Sequence, residues 1–176
     1  MDDRHAEEQV TWQGRFITAK VRGKWEYVGR ARNIRAAVIL AVDAEGCVIL
    51  VEQYRVPLGR ICIELPAGLI GDDDSCEGED VAAAAARELE EETGYRAEWI
   101  EVLGEFWSSP GMVSESYTLV RAHGLERVGE GGGTDGENIT VHRVPLAQVP
   151  AFIEARRAAG DGIDGKILLL MGPHWL

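Results

Sequence analysis

The chain has little of what would carry it out of the cytosol or onto a nucleic acid. Only three cysteines, Cys47, Cys62 and Cys76, occur in 176 residues. Their odd number, their wide spacing and the absence of a Cys-x-x-Cys pair exclude a disulfide framework or zinc ribbon as the expected stabiliser. Reduced thiols suit a cytoplasmic protein. Met1 to Val10 is charged and holds no apolar stretch, so no secretory signal is expected. The longest apolar segment, Ala36 to Val51, is interrupted by Asp43, Glu45 and Gly46 and is too short to span a bilayer. Positive charge is also scarce: 18 Lys and Arg stand against 30 Asp and Glu, for a net charge of −12. Such a surface repels nucleic-acid backbone and anionic membrane, so neither is an expected partner. The histidines His5, His123, His142 and His174 have no ligand spacing and read as structural. No internal repeat is seen.

What is present suits one globular domain with a modest extension. The length allows a core without disulfides, and the apolar fraction of 45 % is ordinary. Residues 1–35 read as short strands: Arg15 to Arg22 alternates, Gly23-Lys24 turns, and Trp25 to Val28 resumes extended. This piece is too small for its own core and must pack on the main domain or on a second subunit. The main domain, residues 36–176, starts with an apolar strand at Ala36 to Val42. A hairpin turn at Asp43 to Gly46 and a partner strand at Cys47 to Tyr54 follow. Arg60 to Leu65 is another strand, and residues 71–80 form an acidic loop. A helix runs from Val81 to Glu92 and is stopped by Gly94. Strands are expected at Trp99 to Trp107, Ser116 to Ala122 and Ile139 to Val144. A mobile glycine-rich loop spans Gly129 to Gly136, and a helix spans Leu146 to Ala159 beside Pro145. The fold class is α+β.

Chemistry begins on the first helix, at Arg87-Glu88-Leu89-Glu90-Glu91-Glu92-Thr93-Gly94. Positions i, i+3 and i+4 share a helix face, so Glu88, Glu91 and Glu92 are expected together and Glu90 apart. Three carboxylates on one face repel one another unless neutralised, and hard divalent cations favour such oxygen clusters. The bland alternative is a solvated acidic surface. With Glu79 eight residues before Arg87 and Ala67-Gly68 upstream, the string resembles the Nudix box, Gly-x5-Glu-x7-Arg-Glu-U-x-Glu-Glu-x-Gly-U, where U is bulky and apolar. Gly68 precedes Glu79 by eleven residues rather than six, so an insertion of about five lies within residues 71–78.

The resemblance narrows further. Glu52-Gln53-Tyr54-Arg55, Glu64-Leu65-Pro66-Ala67-Gly68 and Ser109-Pro110-Gly111 are similar to strings of the ADP-ribose and ADP-sugar pyrophosphatase subfamily. It implies a Nudix fold, a mixed β-sheet sandwiched between helices, with a small N-terminal antiparallel β extension that forms a homodimer with shared active sites. It implies metal ligation by Glu88, Glu91, Glu92 and the Ala67 carbonyl, with Mg2+ as cofactor and Mn2+ as substitute. Arg87 pairs with a carboxylate of the cluster, and Arg55 contacts phosphate; the alternative for Arg55 is a surface salt bridge. Glu137, with Asp135 as alternate, supplies the general base or a further ligand from the glycine-rich loop. Gly111 and Glu115 belong near the substrate. Trp12 and Trp25-Glu26 resemble an adenine-stacking pair, with Arg30 facing phosphate or ribose; the alternative is that both tryptophans are dimer core. Trp107, Phe152 and Trp175 read as packing. The implied activity is hydrolysis of the pyrophosphate of ADP-ribose or a related ADP-sugar. Alternatives are hydrolysis of another nucleoside diphosphate derivative or triphosphate, and a non-catalytic nucleotide sensor.

Overall fold

The computed structural model describes residues 3–31, 35–70, 80–134 and 136–172. The acidic insertion with Glu79 and Cys76, the alternate base Asp135, and His174 with Trp175 lie outside the described residues. The N-terminal extension is a three-stranded antiparallel sheet of β1 (Glu8–Gln13), β2 (Ile17–Arg22) and β3 (Trp25–Arg30), in that order. Its first strand is absent from the expectation, because every residue of β1 is exposed and no buried face imposes a clear alternation.

Two four-stranded sheets follow. One has the order β7 (Ala67–Ile70), β4 (Arg35–Ala41), β10 (Ser116–His123) and β9 (Trp99–Trp107); the other has β12 (Thr140–Pro145), β5 (Cys47–Arg55), β6 (Arg60–Glu64) and β13 (Gly162–Ile163). β8 (Tyr95–Arg96) and β11 (Glu126–Arg127) make a short separate ladder. The helices are α1 (Val81–Thr93) and α2 (Val149–Ala158), and a 3₁₀ segment covers Gly165–Met171.

The expected hairpin of β4 with β5 does not form. A single bridge, Val42 to Val48, joins them, after which the strands part into different sheets. The reason lies in competition for edges. β4 is already paired on both sides, antiparallel with β7 and parallel with β10, while β5 is paired with β6 and β12. The turn at Asp43 is nonetheless well made: its Oδ1 accepts from the N–H groups of Glu45 and Cys47, at 2.9 and 3.0 Å.

Alternation along β4 decides the layers. Ala37, Ile39 and Ala41 pack towards α1, with Ala84, Ala85 and Leu89. Val38 and Leu40 pack the other way, with Leu50, Ile63, Ile153 of α2 and Ile167. A strand buried on both faces reads as a continuous apolar run. The sheets therefore lie between α1 on one side and α2 with the 3₁₀ segment on the other. The second helix begins with a 3₁₀ turn at Leu146–Gln148, and it is Pro150, not Pro145, that occupies its first α-helical turn. Cys47 and Cys62 are buried free thiols.

Candidate functional site

α1 is well defined at both ends. The Asp80 side chain accepts from the N–H of Ala82 (3.0 Å) and Ala83 (3.4 Å), capping the start. Gly94 closes the helix in the left-handed conformation, with φ of 71°. The glycine-rich segment after β11 packs against this end: the N–H groups of Gly132 and Gly133 donate to the carbonyls of Glu92 and Glu91, at 2.9 and 3.0 Å. Residues expected as a mobile tip thus satisfy backbone acceptors that a helix terminus leaves open. Because Glu137 follows them, the same contacts bring it towards the glutamates of α1.

Glu88, Glu92 and Glu137 line one cavity of about 460 Å³ between the sheets and α1. Arg30, Arg55, Ala67 and Glu115, all singled out from sequence, share its wall. Glu92 is 7 % exposed, and burial pushes its carboxyl up to about 8, despite a hydrogen bond from the Ala67 N–H at 3.1 Å. Burial also raises Glu88, opposed by Arg87, whose Nη1 lies 2.9 Å from Glu88 Oε1. Glu88 packs so closely on β7 that a Cβ at Gly68 would collide with its side chain, which accounts for glycine at that position. Glu137 is held by its own loop, its Oε2 accepting from the Thr134 N–H at 2.7 Å and its carbonyl from Gln53 Nε2 at 3.2 Å.

Glu91 departs from the expected cluster. It is absent from the cavity wall and its carboxylate is held by Arg87 Nη1 at 3.1 Å, one turn before it. The spacing explains this: Glu88 and Glu92 are one turn apart on the same stripe, whereas Glu91 is rotated about 100° from Glu92 towards the solvent side. Arg87 therefore bridges Glu88 and Glu91. Among the described residues, no three acidic, His or Cys side chains converge as a ready-made ion cage.

The arginines are tethered. Arg55 makes a two-pronged contact with buried Glu64, Nε to Oε1 at 2.6 Å and Nη2 to Oε2 at 2.9 Å. Arg30 donates from Nε to Glu115 Oε1 at 2.6 Å. Gln53, Glu64, Tyr117 and Lys166 also line the cavity and were not assigned from sequence. Gln53 and Glu64 sit inside the strings quoted above; Lys166, in the C-terminal segment, carries no local signal.

Trp25 and Gly111 lie elsewhere, in a neighbouring cleft of about 430 Å³ that they share with Tyr27, Pro110 and Trp107. Trp107, read from sequence as packing, is instead 55 % exposed there, matching Trp25 at 55 %. As an outward position near the end of β9, it escapes the core that its neighbour Phe106 enters. The cleft exists because β3 docks on the segment before β10: Val28 N–H donates to the Met112 carbonyl (3.0 Å), and Ser114 N–H to the Val28 carbonyl (2.9 Å). Trp12 lines neither space and is 57 % exposed; Glu26 is exposed opposite Val21. Of the residues read as structural, His142 pairs with Glu52 at 2.7 Å, His123 stacks on Trp99, and Phe152 packs on the core.

These features define an α+β protein whose helix-borne glutamates face arginine-bearing strands across one cavity, an arrangement suited to a substrate with both anionic and cation-dependent groups. The family description "NUDIX domain" matches residues 32–163, and the chain belongs to that family. It is 37 % identical over 122 residues to the ADP-ribose pyrophosphatase of Bacillus subtilis, covering 69 % of this chain and 63 % of that one. It is 36 % identical over 127 residues to the methanol dehydrogenase activator of Bacillus methanolicus, covering 72 % and 66 %. The chain thus spans slightly less than two thirds of either relative. A solved structure of an ADP compounds hydrolase superposes with a TM-score of 0.67 at 26 % identity, covering 87 % of this chain and 86 % of that one. Nudix hydrolases generally use divalent metal ions. Among the described residues, no helix is long and apolar enough to cross a membrane.

Proposed function

We propose that the protein hydrolyses the pyrophosphate of an ADP-sugar, with ADP-ribose as the first substrate, releasing AMP and a sugar phosphate. The observation that carries this reading is the buried carboxylate of Glu92, facing the same cavity as Glu88, Arg55 and Glu137. A carboxyl group this buried, opposed by few cations, is unfavourable as an anion until a cation joins it. Its oxygens suit a hard divalent ion, magnesium first and manganese as substitute. Glu88, Glu92 and the Ala67 carbonyl would hold the ion, with Glu137 as a further ligand and Glu91 as one only once its carboxylate turns from Arg87. Bound there, such an ion polarises phosphoryl oxygens and acidifies water. Arg55 and Arg30, already oriented by Glu64 and Glu115, meet the substrate's anionic oxygens with their remaining N–H donors. Glu137, or Asp135 beside it, accepts the proton of the attacking water as one phosphorus–oxygen bond of the pyrophosphate breaks.

The cleft of Trp25, Trp107 and Gly111 suits a nucleobase, since aromatic faces stack on bases. Residues 1–35 are assigned to a dimer-forming extension and residues 36–176 to the hydrolase domain. The exposed Val10, Trp12, Phe16 and Ile17 support a second copy of the chain as the partner of that extension. Glu26 stays with the substrate-facing strand in this assignment. A cytoplasmic location agrees with the buried thiols.

The test is to incubate the purified protein with ADP-ribose, with and without magnesium, and assay AMP and ribose 5-phosphate. Metal-dependent release of both is expected. Binding of ADP-ribose without turnover, on it or on a nucleotide panel, would instead leave a sensor.

A further inference from the structure

Lys166 lines the same cavity as Glu88 and Glu92 although it lies more than seventy residues further along the chain. The segment that carries it is tied to the cavity's own sheet. The Asp164 N–H donates to the Ile63 carbonyl at 2.9 Å, one residue before Glu64. The Asp164 carboxylate then accepts from both the backbone N–H of Lys166 (2.7 Å) and its ammonium (2.5 Å). That ammonium stands 5.7 Å from the ring centroid of Tyr117, another wall residue. A long side chain that would ordinarily sweep through solvent is thereby aimed, with 24 % of it exposed.

The cavity needs such a cation. Among the described residues its wall carries five carboxylates, Glu64, Glu88, Glu92, Glu115 and Glu137, against Arg30, Arg55 and Lys166. Arg55 commits Nε and one Nη to Glu64, and Arg30 turns both Nε and Nη2 to Glu115. The Lys166 ammonium spends one of its three donors on Asp164 and keeps two. We propose that Lys166 is a phosphate-binding residue of this cavity, positioned by Asp164 and Tyr117. The identity of the anion rests on the hydrolase reading; the contact itself does not. A lysine serves a phosphate oxygen as a point charge, where an arginine pairs with two oxygens at once.

The competing role is a clasp in which the Lys166–Asp164 pair only fastens the C-terminal segment. Lys166→Met removes the cation; Asp164→Asn keeps it but loosens its aim. In the full chain with magnesium, Lys166→Met is expected to raise KM for ADP-ribose about tenfold with kcat little changed. It should weaken calorimetric binding of either AMP or ribose 5-phosphate by a similar factor, and the product affected tells which phosphate is touched. Lys166→Arg should recover most of the loss, and Asp164→Asn should raise KM less than Lys166→Met while lowering Tm at least as much. Unchanged KM and product affinities in Lys166→Met, or a KM that merely follows Tm in both variants, would overturn the proposal. If the wild-type protein does not turn over ADP-ribose, the hydrolase reading fails and calorimetry alone decides Lys166. Equal product affinities with and without the lysine, or no binding of either product to the wild type, would then reject it.

Discussion

Two parts of the molecule handle polar and apolar groups in opposite ways. In α1 and its surroundings, charge is buried and apolar side chains are hidden: Glu92 lies beneath the surface, and Leu89 is fully enclosed. In the N-terminal sheet the charges are outside and much of the apolar surface is too. Val10, Trp12 and Trp25 are more than half exposed, while Glu8 gathers Lys20, Arg22 and Tyr27 at the surface. A buried carboxylate is unfavourable unless something compensates it, and an exposed tryptophan leaves apolar area in water. The two regions thus carry unfavourable groups of opposite kinds: one encloses a carboxyl group, the other leaves aromatic and aliphatic side chains in water.

The sharpest way to break this contrast is Glu92→Gln. Turnover of ADP-ribose should fall by roughly 10³-fold, as loss of several kcal/mol of charge stabilisation implies. The fold should survive, since the amide is close in size and shape to a carboxyl group that burial already holds protonated near neutral pH. Retained activity with normal metal binding would take Glu92 out of the site. Next in size is Leu89→Ala, which leaves a cavity under α1 and should cost about 2–5 kcal/mol in denaturant unfolding. A loss below about 1 kcal/mol would mean that α1 is not seated on the core as described.

The N-terminal sheet should respond in the other currency. Trp25→Ala should change protomer stability by less than about 0.5 kcal/mol, as exposed positions usually do. Its KM for ADP-ribose should rise several-fold with kcat nearly constant; an unchanged KM would make Trp25 irrelevant to binding.

The last prediction concerns pH. Glu92 is raised from the usual carboxylate range to about 8, so between these values the folded protein keeps a proton that the unfolded chain releases. Stability of the metal-free protein, held in chelator, should therefore decline as pH rises from about 4.5 to 8 and level off above. Glu92→Gln should flatten that part of the Tm profile. An identical slope in both proteins would assign it to other groups.

Much of the fold and part of the site were legible from local pattern. The apolar run of β4, the alanine-rich helix with its glycine stop, and the spacing of Glu88 and Glu92 each express a rule that acts within a few residues. The neighbourhood of Arg30, Arg55, Ala67, Glu115 and Glu137 was reached through resemblance, and the geometry gathers all five at one cavity. Three features were not legible. β4 and β5 look like a hairpin because a turn sits between them, yet strand pairing depends on which edges remain free. Trp107 and Phe106 are adjacent aromatics, and only the packed sheet decides which faces the core.

Lys166 is the third, and it marks the boundary most clearly. Periodicity, caps and turn chemistry depend on neighbours in the chain, so they can be read along it: the helix, the strands and the glutamate stripe belong to that kind of information. Whether a lysine after the last strand meets a glutamate of the first helix depends on how sheets stack and where a terminal segment returns. Those are sums over many weak contacts between distant residues, and they exist only once the chain has closed on itself.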